Sequence, residues 1–508
     1  MNKPYPFYSL PAVTNLKQMV KNQAEENPDR IAFRFREGKR IKEKSIGEFL
    51  SDINAAGTWL FHEGILQCHV ALIAPNSYAW LVVFFAVTNS GNVIVPIDKD
   101  LPSEEKRHLI EHSECQFVFA DSKTIQQLGQ LAEFASLIDL TRFEVLLTTG
   151  RQLIGEGNST FTKYQPDVES PAAIVYTSGT TGRSKGVVLS QKNIVSNVNA
   201  CCKSFNPMGD ALSILPFHHM FGLVPALIMF INYRSTVFIC TSLKSFMQDL
   251  QEAKPKTIML VPLFIQSFWK MLQRGSAKDL RNILGGNLEY ILVGGAPLDP
   301  FFETAFHDQG IHLIPAYGAT ECSPGIAVNR NYFYRIGSVG QPIDGCGIKI
   351  ADDGEILICG DNVFSEYYRD PEATREALID GWYHSGDIGY LDADGFLFLT
   401  GRKKNLIILS NGENISPEQL ETRIAAVYGV SEVLVFDEGD AIAAEIYPDS
   451  DHRDQIEYFR RETNRINESL RPSLRIQHVY LRQTEFPKNH TGKILRDEAR
   501  KARRNEND

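Results

Sequence analysis

YTSGTTGRSKGV, at residues 176–187, is a segment rich in glycine, serine and threonine that contains one lysine near its end. Glycine lets a backbone adopt conformations that bring N–H groups close to an anion, and hydroxyl groups add further donors. The residues that share this anion-binding character are Thr177, Ser178, Gly179, Thr180, Thr181, Gly182, Ser184, Lys185 and Gly186. The segment therefore predicts a loop that holds the phosphates of a triphosphate.

The sequence around this loop differs from that of a P-loop NTPase. A Walker A motif has glycine before its lysine and serine or threonine after it, whereas here Ser184 precedes Lys185 and Gly186 follows. AAIVY before the loop and GVVLS after it predict two strands, and Ser190 predicts the N-cap of a helix that begins near Gln191. A mobile surface loop is the alternative for such a composition, but the ordered spacing between two strands favours a phosphate loop.

Strand and helix patterns alternate along the first four-fifths of the chain. The predicted helices are LKQMVKNQAEENP, a segment through WLVVFFAV, and SEEKRHLIEHS; the predicted strands include HVALIAP, NVIVPID and QFVFADS. This alternation predicts an α/β fold in which helices cover parallel sheets.

The pattern changes near Gly401. Beyond it the sequence predicts a short helix at SPEQLETRIAAV, a hairpin in EVLVFDEGDAIAAEIYP that turns at Glu438-Gly439, a helix near 453–470, and a strand at RIQHVYLR. These elements predict a small α+β domain that follows a large α/β domain.

Composition and charge exclude several classes of protein. A chain of 508 residues that is 43% apolar predicts packed cores in more than one domain, and its net charge of −10 argues against a general nucleic-acid or anionic-membrane binder. The eight cysteines include no CxxC pair, which predicts neither a zinc site nor a disulfide framework and favours the cytoplasm. No signal-peptide core begins the chain, and the most apolar runs are too short to cross a bilayer.

Eight segments, in order along nearly the whole chain, resemble signatures of the adenylate-forming superfamily, which comprises acyl- and aryl-CoA synthetases, carrier-protein adenylation domains and firefly luciferase. Besides the loop at 176–187 they are LPFHHMFGL (215–223), VGGAPLDP (293–300), AYGATECSP (316–324), GSVGQP (337–342), HSGDIGYLDADGFLFLTGRKKN (384–405), NGENISPEQLE (411–421) and PKNHTGKILR (487–496). The resemblance implies a large adenylation domain over 1–401 and a small mobile α+β domain over 402–508. It places Lys404 at the hinge, near 402–404.

The resemblance implies an AMP-forming acid:thiol ligase. Such an enzyme uses Mg²⁺ and ATP to join a carboxylic acid to AMP, and then transfers the acyl group to the thiol of CoA. A carrier protein with a phosphopantetheine arm is the alternative acceptor. Because the carboxylate attacks the α-phosphate while pyrophosphate leaves, the site must screen several negative charges at once.

Four residues receive catalytic roles from the resemblance. Lys493 contacts the carboxylate and α-phosphate oxygens, and Thr320 hydrogen-bonds the α-phosphate. Glu321 binds Mg²⁺, with Thr177 as a possible second ligand, because hard cations prefer oxygen ligands. His219 lies at the mouth of the acyl pocket as a gate rather than a base, since the substrate carboxylate is already ionised at neutral pH; a structural core histidine is the alternative.

The remaining ATP contacts follow from the same motifs. The full set implied for ATP is Thr177, Ser178, Gly179, Thr180, Thr181, Gly182, Lys185, Gly295, Ala296, Pro297, Tyr317, Gly318, Asp387 and Arg402. Tyr317 is expected to stack on adenine. Asp387 supplies the acceptor that two ribose hydroxyls need, and Arg402 offers donors to the same region.

The acyl pocket is implied at His219, Gly294, Gly295, Ala316, Cys322 and Gly325. HHMFGLVPALIMF carries no acidic residue where amino-acid-activating members place an aspartate, which predicts an apolar, uncharged acyl group. TECSPGIAVNRN and TGRKKNLIILSNGENISP look most like bacterial long-chain fatty-acyl ligases. Ala316 stands where many members have glycine, so the length of a fatty chain, or an aryl acid instead, stays open.

The thiol step is implied to follow a swing of the small domain about Lys404, which brings Gly412 of the NGENISP loop to the border of a pantetheine tunnel. CoA and a carrier protein present the same arm, so this tunnel does not distinguish them. Arginines that could meet CoA phosphates or an acidic carrier protein are Arg460, Arg461, Arg465, Arg471 and Arg475. A solvated helix face is the alternative for these arginines.

Two rival functions are the alternatives to a ligase. A luciferase-like oxygenase would have all of the motifs, although no residue positively suggests one. A protein that has lost catalysis and serves only for interaction would be expected to lack Lys185, Glu321, Asp387 or Lys493, and all four are present.

Overall fold

A computed structural model describes residues 7–129, 135–177, 184–273, 279–409, 413–488 and 494–507. The strands are β1 (Ile31–Glu37), β2 (Arg40–Ser45), β3 (His69–Ile73), β4 (Val93–Pro96), β5 (Phe117–Ala120), β6 (Ser136–Asp139), β7 (Pro171–Thr177), β8 (Lys185–Ser190), β9 (Ala211–Ser213), β10 (Val237–Ile239), β11 (Thr257–Leu260), β12 (Tyr290–Val293), β13 (His312–Gly318), β14 (Gly325–Val328), β15 (Gln341–Pro342), β16 (Gly347–Ile350), β17 (Glu355–Cys359), β18 (Glu366–Tyr367), β19 (Leu378–Ile379), β20 (Trp382–Leu391), β21 (Leu397–Arg402), β22 (Ile407–Ile408), β23 (Asn414–Ile415), β24 (Val430–Glu438), β25 (Ala441–Pro448) and β26 (Ile476–Leu481).

The α-helices are α1 (Leu16–Glu26), α2 (Ile46–His62), α3 (Tyr78–Thr88), α4 (Ser103–His112), α5 (Ser122–Leu128), α6 (Phe143–Gly155), α7 (Thr160–Lys163), α8 (Gln191–Ser204), α9 (Met220–Leu223), α10 (Met229–Asn232), α11 (Phe246–Ala253), α12 (Pro262–Gln273), α13 (Leu280–Ile283), α14 (Pro300–His307), α15 (Pro371–Ala377), α16 (Pro417–Ala425), α17 (Ile456–Glu468) and α18 (Arg496–Asn507). Turns of 3₁₀ helix lie at Leu140–Arg142, Thr320–Cys322, Lys403–Asn405 and Pro472–Leu474, and a π-helical turn lies at Val224–Ile228.

A seven-stranded sheet has the strand order β18-β8-β7-β4-β3-β5-β6. The pairs among β3, β4, β5, β6 and β7 are parallel, whereas β8 pairs antiparallel with β7 and with β18. The predicted strands β3, β4, β5, β7 and β8 and the predicted helices α1, α3 and α4 are all confirmed. The sheet therefore carries the predicted phosphate loop between two of its neighbouring strands.

A nine-stranded sheet has the order β15-β14-β13-β12-β11-β9-β10-β1-β2. Its centre, from β13 to β1, is parallel, and β2, β14 and β15 add antiparallel edges. β12 ends directly before Gly294, and β13 ends at Gly318. Because parallel strands end at one edge of a sheet, two of the candidate motifs lie at the same edge, where ligands of α/β proteins commonly bind.

A five-stranded sheet is built from β16, β17, β19, β20 and β21, and all its pairs are antiparallel. The prediction of parallel sheets is wrong for this segment. Short turns connect β16 to β17 and β20 to β21, and such turns can join only antiparallel neighbours, since a parallel pair needs a crossover connection.

The C-terminal segment forms a three-stranded sheet in the order β24-β25-β26, with α16 and α17. β24 and β25 form the predicted hairpin, whose turn lies at Gly439-Asp440 rather than at Glu438-Gly439. Its buried apolar side chains, which include Leu420 and Phe459, form a hydrophobic cluster of their own. The predicted helices and strand of this segment are confirmed as α16, α17 and β26.

Local sequence explains where the helix after the loop begins. The Ser190 side chain accepts a hydrogen bond from the Asn193 N–H, and the Asn193 side chain accepts one from the Ser190 N–H at 2.8 Å. This reciprocal arrangement is a capping box, and it confirms the predicted N-cap. α3, which contains the apolar run WLVVFFAV, is buried on every side. Among the helices that the structure describes, none has the length and apolarity needed to traverse a bilayer.

Candidate active site

The predicted phosphate loop begins and ends on paired strands. Thr177 on β7 lies opposite Lys185 on β8 in their antiparallel register. Gly186 packs tightly, since a Cβ there would lie 2.9 Å from a methyl group of Ile174. The residues of the loop itself, Ser178, Gly179, Thr180, Thr181 and Gly182, lie outside the described residues. The structure thus brings the two ends of the loop together.

Thr320 and Glu321 lie in a single 3₁₀ turn just beyond β13. The carbonyl oxygen of Glu321 accepts a hydrogen bond from the Phe364 N–H at 2.8 Å. A Cβ on Gly318 would lie 2.4 Å from the carbonyl oxygen of Pro324, so a larger residue would force the backbone apart. Main-chain contacts on both sides therefore fix the turn, which also packs against β8.

Two buried asparagines bond the same two carbonyl oxygens after this turn. The Asn197 Nδ2 atom, on α8, lies 3.0 Å from the carbonyl oxygen of Cys322 and 2.8 Å from that of Gly325. The Asn362 Nδ2 atom makes the same contacts at 3.1 and 3.0 Å. A Cβ on Gly325 would lie 2.9 Å from the Cys201 Sγ atom. Cys322 and Gly325, both predicted for the acyl pocket, therefore lie in tightly packed surroundings, and Cys322 is fully buried.

The Glu321 carboxylate lies beside a tyrosine that the sequence analysis did not select. The Tyr367 hydroxyl donates a hydrogen bond to Glu321 Oε1 at 2.8 Å, and the Lys185 Nζ atom lies 4.8 Å from the centroid of the Tyr367 ring. Burial, together with the Glu321 carboxylate, raises the pKa of Tyr367, so its hydroxyl is protonated at neutral pH. The predicted Mg²⁺ ligand and the predicted phosphate-binding lysine thus meet at one tyrosine.

Asp387 forms a second cluster of a carboxylate with a tyrosine. The Tyr317 hydroxyl donates to Asp387 Oδ2 at 2.7 Å, and Arg402 Nε lies 2.9 Å from Asp387 Oδ1. Asp387 and Arg402 face each other in the register of β20 and β21. Burial acts to lower the pKa of Arg402, but the Asp387 carboxylate and its neighbours outweigh it and raise that pKa. Burial and Asp387 together raise the pKa of Tyr317. Three residues predicted to bind ATP are therefore in direct contact.

His218 and His219 lie side by side just before α9. Their ring centroids lie 4.3 Å apart, and the His218 Nε2 atom lies 3.6 Å from Asp98 Oδ2. Burial, reinforced by His219, lowers the pKa of His218 to about 3, so that ring is neutral at physiological pH. His219 precedes α9, on which Phe221 lies against Gly294: a Cβ on Gly294 would lie 3.1 Å from the Phe221 ring. Phe221 is therefore a neighbour of Gly294, which is predicted for the acyl pocket.

The other predicted residues of the nucleotide and acyl sites follow β12 or lie in β13. Gly295 has a φ of 84°, in the left-handed region that favours glycine. Ala296 and Pro297 follow it and are exposed, as a loop that contacts a ligand must be. Ala316 is half-buried in β13, one residue before Tyr317.

The backbone just before the predicted hinge is closely packed, whereas Lys403 and Lys404 of the hinge itself are exposed. Gly401 approaches Ser416 so closely that a Cβ would overlap the Ser416 hydroxyl oxygen, at 1.9 Å. Lys404 follows in a 3₁₀ turn, where partial desolvation and the charge of Arg402 lower the pKa of its ammonium group. Gly412 and Lys493 lie outside the described residues, so their predicted roles in the thiol step and in adenylation stay predictions.

The arginines of α17 pair with glutamates of their own helix. Arg460 lies 2.7 Å from Glu457, while Arg461 and Arg465 lie 3.3 and 2.9 Å from Glu462. All three arginine side chains are exposed. These local pairs favour the solvated helix face over a dedicated phosphate site.

Glu321 and Thr177 provide the oxygen atoms that suit a Mg²⁺ ion. One Glu321 oxygen is bonded by Tyr367, and Thr177 lies at the start of the phosphate loop. Within the part of the chain that the structure describes, no group of three or more histidine, cysteine, aspartate or glutamate side chains is placed to hold a metal. A carboxylate and a hydroxyl oxygen are of the type that binds Mg²⁺ when nucleotide phosphates supply further ligands.

Sequence reasoning missed Tyr367, Phe221, Asn197 and Asn362. Phe221 lies inside the motif LPFHHMFGL, so its position could have been inferred. Tyr367 lies in SEYYRDPEAT, and the two asparagines lie in α8 and in the segment before β18. No local pattern marks these three, because their contacts join segments far apart in the chain.

Solved structures share this fold over nearly the whole chain. The anthranilate CoA ligase AuaEII in complex with anthranoyl-AMP superposes with a TM-score of 0.85 at 19% identity, over 97% of this chain and 98% of that one. The O-succinylbenzoate coenzyme A synthetase of Bacillus subtilis, in complex with ATP and magnesium ion, superposes with a TM-score of 0.77 at 22% identity, over 95% and 99%. The fold is thus that of adenylate-forming enzymes.

The family model described as AMP-binding enzyme matches residues 20–368, and the chain belongs to this family. The long-chain-fatty-acid–CoA ligase FadD15 of Mycobacterium bovis is 28% identical over 493 residues, which cover 84% of this chain and 80% of that protein. The 2-succinylbenzoate–CoA ligase of Listeria monocytogenes is 28% identical over 411 residues, which cover 78% and 82%. Family and relatives together make the chain an AMP-forming acid–CoA ligase, of the acyl or aryl type.

Proposed function

We propose that this ligase activates a fatty acid, or another apolar and uncharged acid, with Mg²⁺ and ATP, and transfers the acyl group to CoA through an acyl-adenylate. One observation carries the proposal: two clusters of a tyrosine with a carboxylate, Tyr317 with Asp387 and Tyr367 with Glu321, lie with Arg402 and Lys185 where the motifs predict the nucleotide.

Different residues bind different parts of the nucleotide. Asp387 accepts hydrogen bonds from the ribose hydroxyls. Its ion-pair partner Arg402 limits the free-energy cost of burying the negative charge of the Asp387 carboxylate. Lys185 and the loop before it hold the β- and γ-phosphates, and the Thr320 hydroxyl donates to the α-phosphate. Glu321 and Thr177 hold Mg²⁺, which when bound screens the phosphate charge that would repel an approaching carboxylate.

The chemical step is a displacement at the α-phosphorus. A carboxylate oxygen of the acid bonds to phosphorus as the bond to pyrophosphate breaks, and the negative charge moves to the leaving group. Lys493 offers the positive charge that stabilises the oxygens around phosphorus. No side chain removes a proton, because the acid is already ionised at neutral pH. His219 therefore serves as part of the wall or gate of the acyl pocket.

Two domains carry the two half-reactions in this proposal. Residues 1–401 bind ATP and the acid, and residues 402–508 supply Lys493 for adenylation and Gly412 for the thiol step. Lys404 is the hinge. The separate hydrophobic cluster of the C-terminal segment supports this division, because a body with its own core can move as a unit.

The chemical class of the acid is inferred from the residues predicted to line the acyl pocket. The helical segment after His219 is buried and apolar over Val224–Ile228, with no carboxylate to meet a substrate amine. Phe221 contributes an apolar face against Gly294. The relative that acts on long-chain fatty acids supports a fatty substrate, and the relative named for 2-succinylbenzoate makes an aryl acid the competing outcome.

CoA is the favoured acceptor. The names of the relatives support it, and the arginines of α17 are occupied by glutamates of their own helix rather than grouped for an acidic carrier protein. All eight cysteines are free, which suits a reducing compartment, and we place the reaction in the cytoplasm.

The test is pyrophosphate release across fatty, aryl and amino acids, each without thiol, with CoA, and with a phosphopantetheinylated carrier protein. We expect release with a fatty acid that rises when CoA is added. A rise with the carrier protein alone would overturn CoA as acceptor, and release with aryl acids alone would overturn the fatty substrate. Release with none of the acids would overturn the proposed function.

A further inference from the structure

We propose that Tyr367 is a positioning residue of the phosphate site, which holds the Glu321 carboxylate through its hydroxyl and the Lys185 ammonium group through its ring. This inference rests on the proposed function, because it takes Glu321 as the Mg²⁺ ligand and Lys185 as a phosphate ligand. It concerns a residue that does not itself touch the reacting atoms.

The two contacts use different parts of the tyrosine. Its hydroxyl donates to Glu321 Oε1 at 2.8 Å, and Lys185 Nζ lies 4.8 Å from the ring centroid. A hydrogen bond to a charged carboxylate fixes its orientation, and the face of an aromatic ring attracts a cation. Substitution can therefore remove the hydroxyl contact alone, or both contacts together.

The backbone around Tyr367 leaves its ring little freedom. On β18 it lies opposite Val187 of β8, two residues after Lys185, so sheet pairing sets the distance between the ring and the lysine. Its N–H donates to Thr374 Oγ1 at 3.0 Å, and its ring centroid lies 4.8 Å from that of Phe364. The side chain is only 6% exposed. Such a buried ring is a fixed support rather than a mobile contact.

The arrangement prepares the site before nucleotide arrives. With Oε1 of Glu321 held by a hydroxyl, the carboxylate cannot rotate freely, and the oriented group loses less entropy when it binds a cation. Lys185, supported on the ring, makes no ion pair with a residue that the structure describes. Its charge is therefore kept for an anion instead of being neutralised by Glu321.

Two substitutions separate the contacts. Tyr367→Phe keeps the ring under Lys185 and removes the hydroxyl, whereas Tyr367→Leu removes both. Tyr368→Phe is a matched control, because the Tyr368 hydroxyl also donates to a carboxylate, that of Glu114, at 2.6 Å on the exposed surface. The measurements are calorimetric binding of ATP in EDTA and the Mg²⁺ concentration that gives half of the full increase in ATP affinity, with thermal unfolding to confirm folding.

For Tyr367→Phe we expect ATP binding in EDTA within about twofold of the wild type, and a rise of about tenfold in the Mg²⁺ midpoint, as is usual when the partner of a metal ligand is removed. For Tyr367→Leu we expect the same rise and, in addition, a loss of about three- to fivefold in ATP affinity in EDTA, the size of a cation–π contact. Tyr368→Phe should match the wild type in both.

An unchanged Mg²⁺ midpoint in folded Tyr367→Phe would overturn the inference, as would an equal shift in Tyr368→Phe. If Tyr367→Leu does not fold, Tyr367→Phe alone still decides the hydroxyl contact. The wild-type protein distinguishes this inference from the proposed function. If it binds ATP in a Mg²⁺-dependent way but converts none of the acids, the proposed function is overturned and the Tyr367 test still applies. Absence of Mg²⁺-dependent ATP binding in the wild type would overturn both.

Discussion

Asp387 and Glu321 both accept a hydrogen bond from a tyrosine, yet their surroundings differ in charge. Asp387 is buried, and Arg402 lies 2.9 Å from it, so the protein itself balances that negative charge. Glu321 is half-buried, and one nearby cation, Lys185, lies over the ring of Tyr367 rather than against the carboxylate. The Asp387 carboxylate is therefore suited to accept hydrogen bonds from neutral hydroxyl groups, and the Glu321 carboxylate is suited to bind a cation that is not part of the protein.

Under the proposed function, this difference would let one site bind two kinds of ligand group. A balanced carboxylate can accept hydrogen bonds from a sugar without a large penalty for burial. A carboxylate whose charge is not neutralised by an ion pair can bind a metal ion, and a nearby lysine that is not neutralised either can bind the phosphates that accompany the metal. Four substitutions test this contrast.

Glu321→Gln should have the largest effect, because an amide keeps the size of the side chain and loses the charge that a divalent cation needs. We expect the maximal rate of pyrophosphate release to fall roughly 100- to 1000-fold at ordinary Mg²⁺ concentrations. Glu366→Gln, an exposed neighbour of Tyr367 on β18, is the control and should keep its rate. Normal activity of Glu321→Gln at low Mg²⁺ would remove Glu321 as the ligand.

Asp387→Asn should raise the KM for ATP roughly 10- to 100-fold, since a charged acceptor of hydrogen bonds is lost and Arg402 is left without its partner. The Mg²⁺ midpoint should not change, which distinguishes this carboxylate from Glu321. Asp394→Asn breaks an exposed pair of the same type, with Arg335 at 2.6 Å, and should leave the KM within about twofold. A shift in Mg²⁺ dependence for Asp387→Asn would erase the contrast.

Glu303→Gln tests how a buried carboxyl group that has no arginine partner affects stability. Glu303 forms no ion pair with a described residue, and burial raises its pKa to about 7, although the Gly337 N–H bonds it at 2.9 Å. The native state keeps this proton between pH 4.5 and 7 while the unfolded state loses it, so stability falls as pH rises through that window. Glutamine should therefore stabilise the protein at pH 8 by about 2 kcal/mol, and less at pH 5. If this explanation is wrong, thermal unfolding will show the same difference in stability between Glu303→Gln and the wild type at both pH values.

Tyr317→Phe should have the smallest effect. It removes one hydroxyl donor to Asp387 and leaves Arg402 in place, so the carboxylate stays balanced. We expect a rise of about threefold in the KM for ATP, the cost of one such hydrogen bond, and little change in the maximal rate. An effect as large as that of Asp387→Asn would mean that Tyr317, rather than Arg402, is the main partner of the carboxylate.

Local patterns in the sequence predicted the parts of the fold that depend on neighbours in the chain. The strands on both sides of the phosphate loop, the cap at Ser190 and the C-terminal hairpin are of this kind. The motifs also marked Tyr317, Asp387 and Arg402, which the structure brings into contact.

What the sequence did not reveal depends on pairing between distant segments. Tyr367 reaches Glu321 only because β18 pairs with β8, and the two strands lie far apart along the chain. Asn197 and Asn362 meet at the same carbonyl oxygens for a similar reason. The antiparallel sheet that holds Asp387 was missed because short turns, rather than helices, join β16 to β17, β19 to β20 and β20 to β21, unlike the alternation earlier in the chain.

The measurement that tests the central claim most directly is exchange of labelled pyrophosphate into ATP, in the presence of the acid and without any thiol. Reversible formation of an acyl-adenylate predicts exchange that depends on both the acid and Mg²⁺, and that Glu321→Gln largely abolishes. Exchange of labelled phosphate instead of pyrophosphate, or turnover that yields ADP, would contradict an AMP-forming ligase.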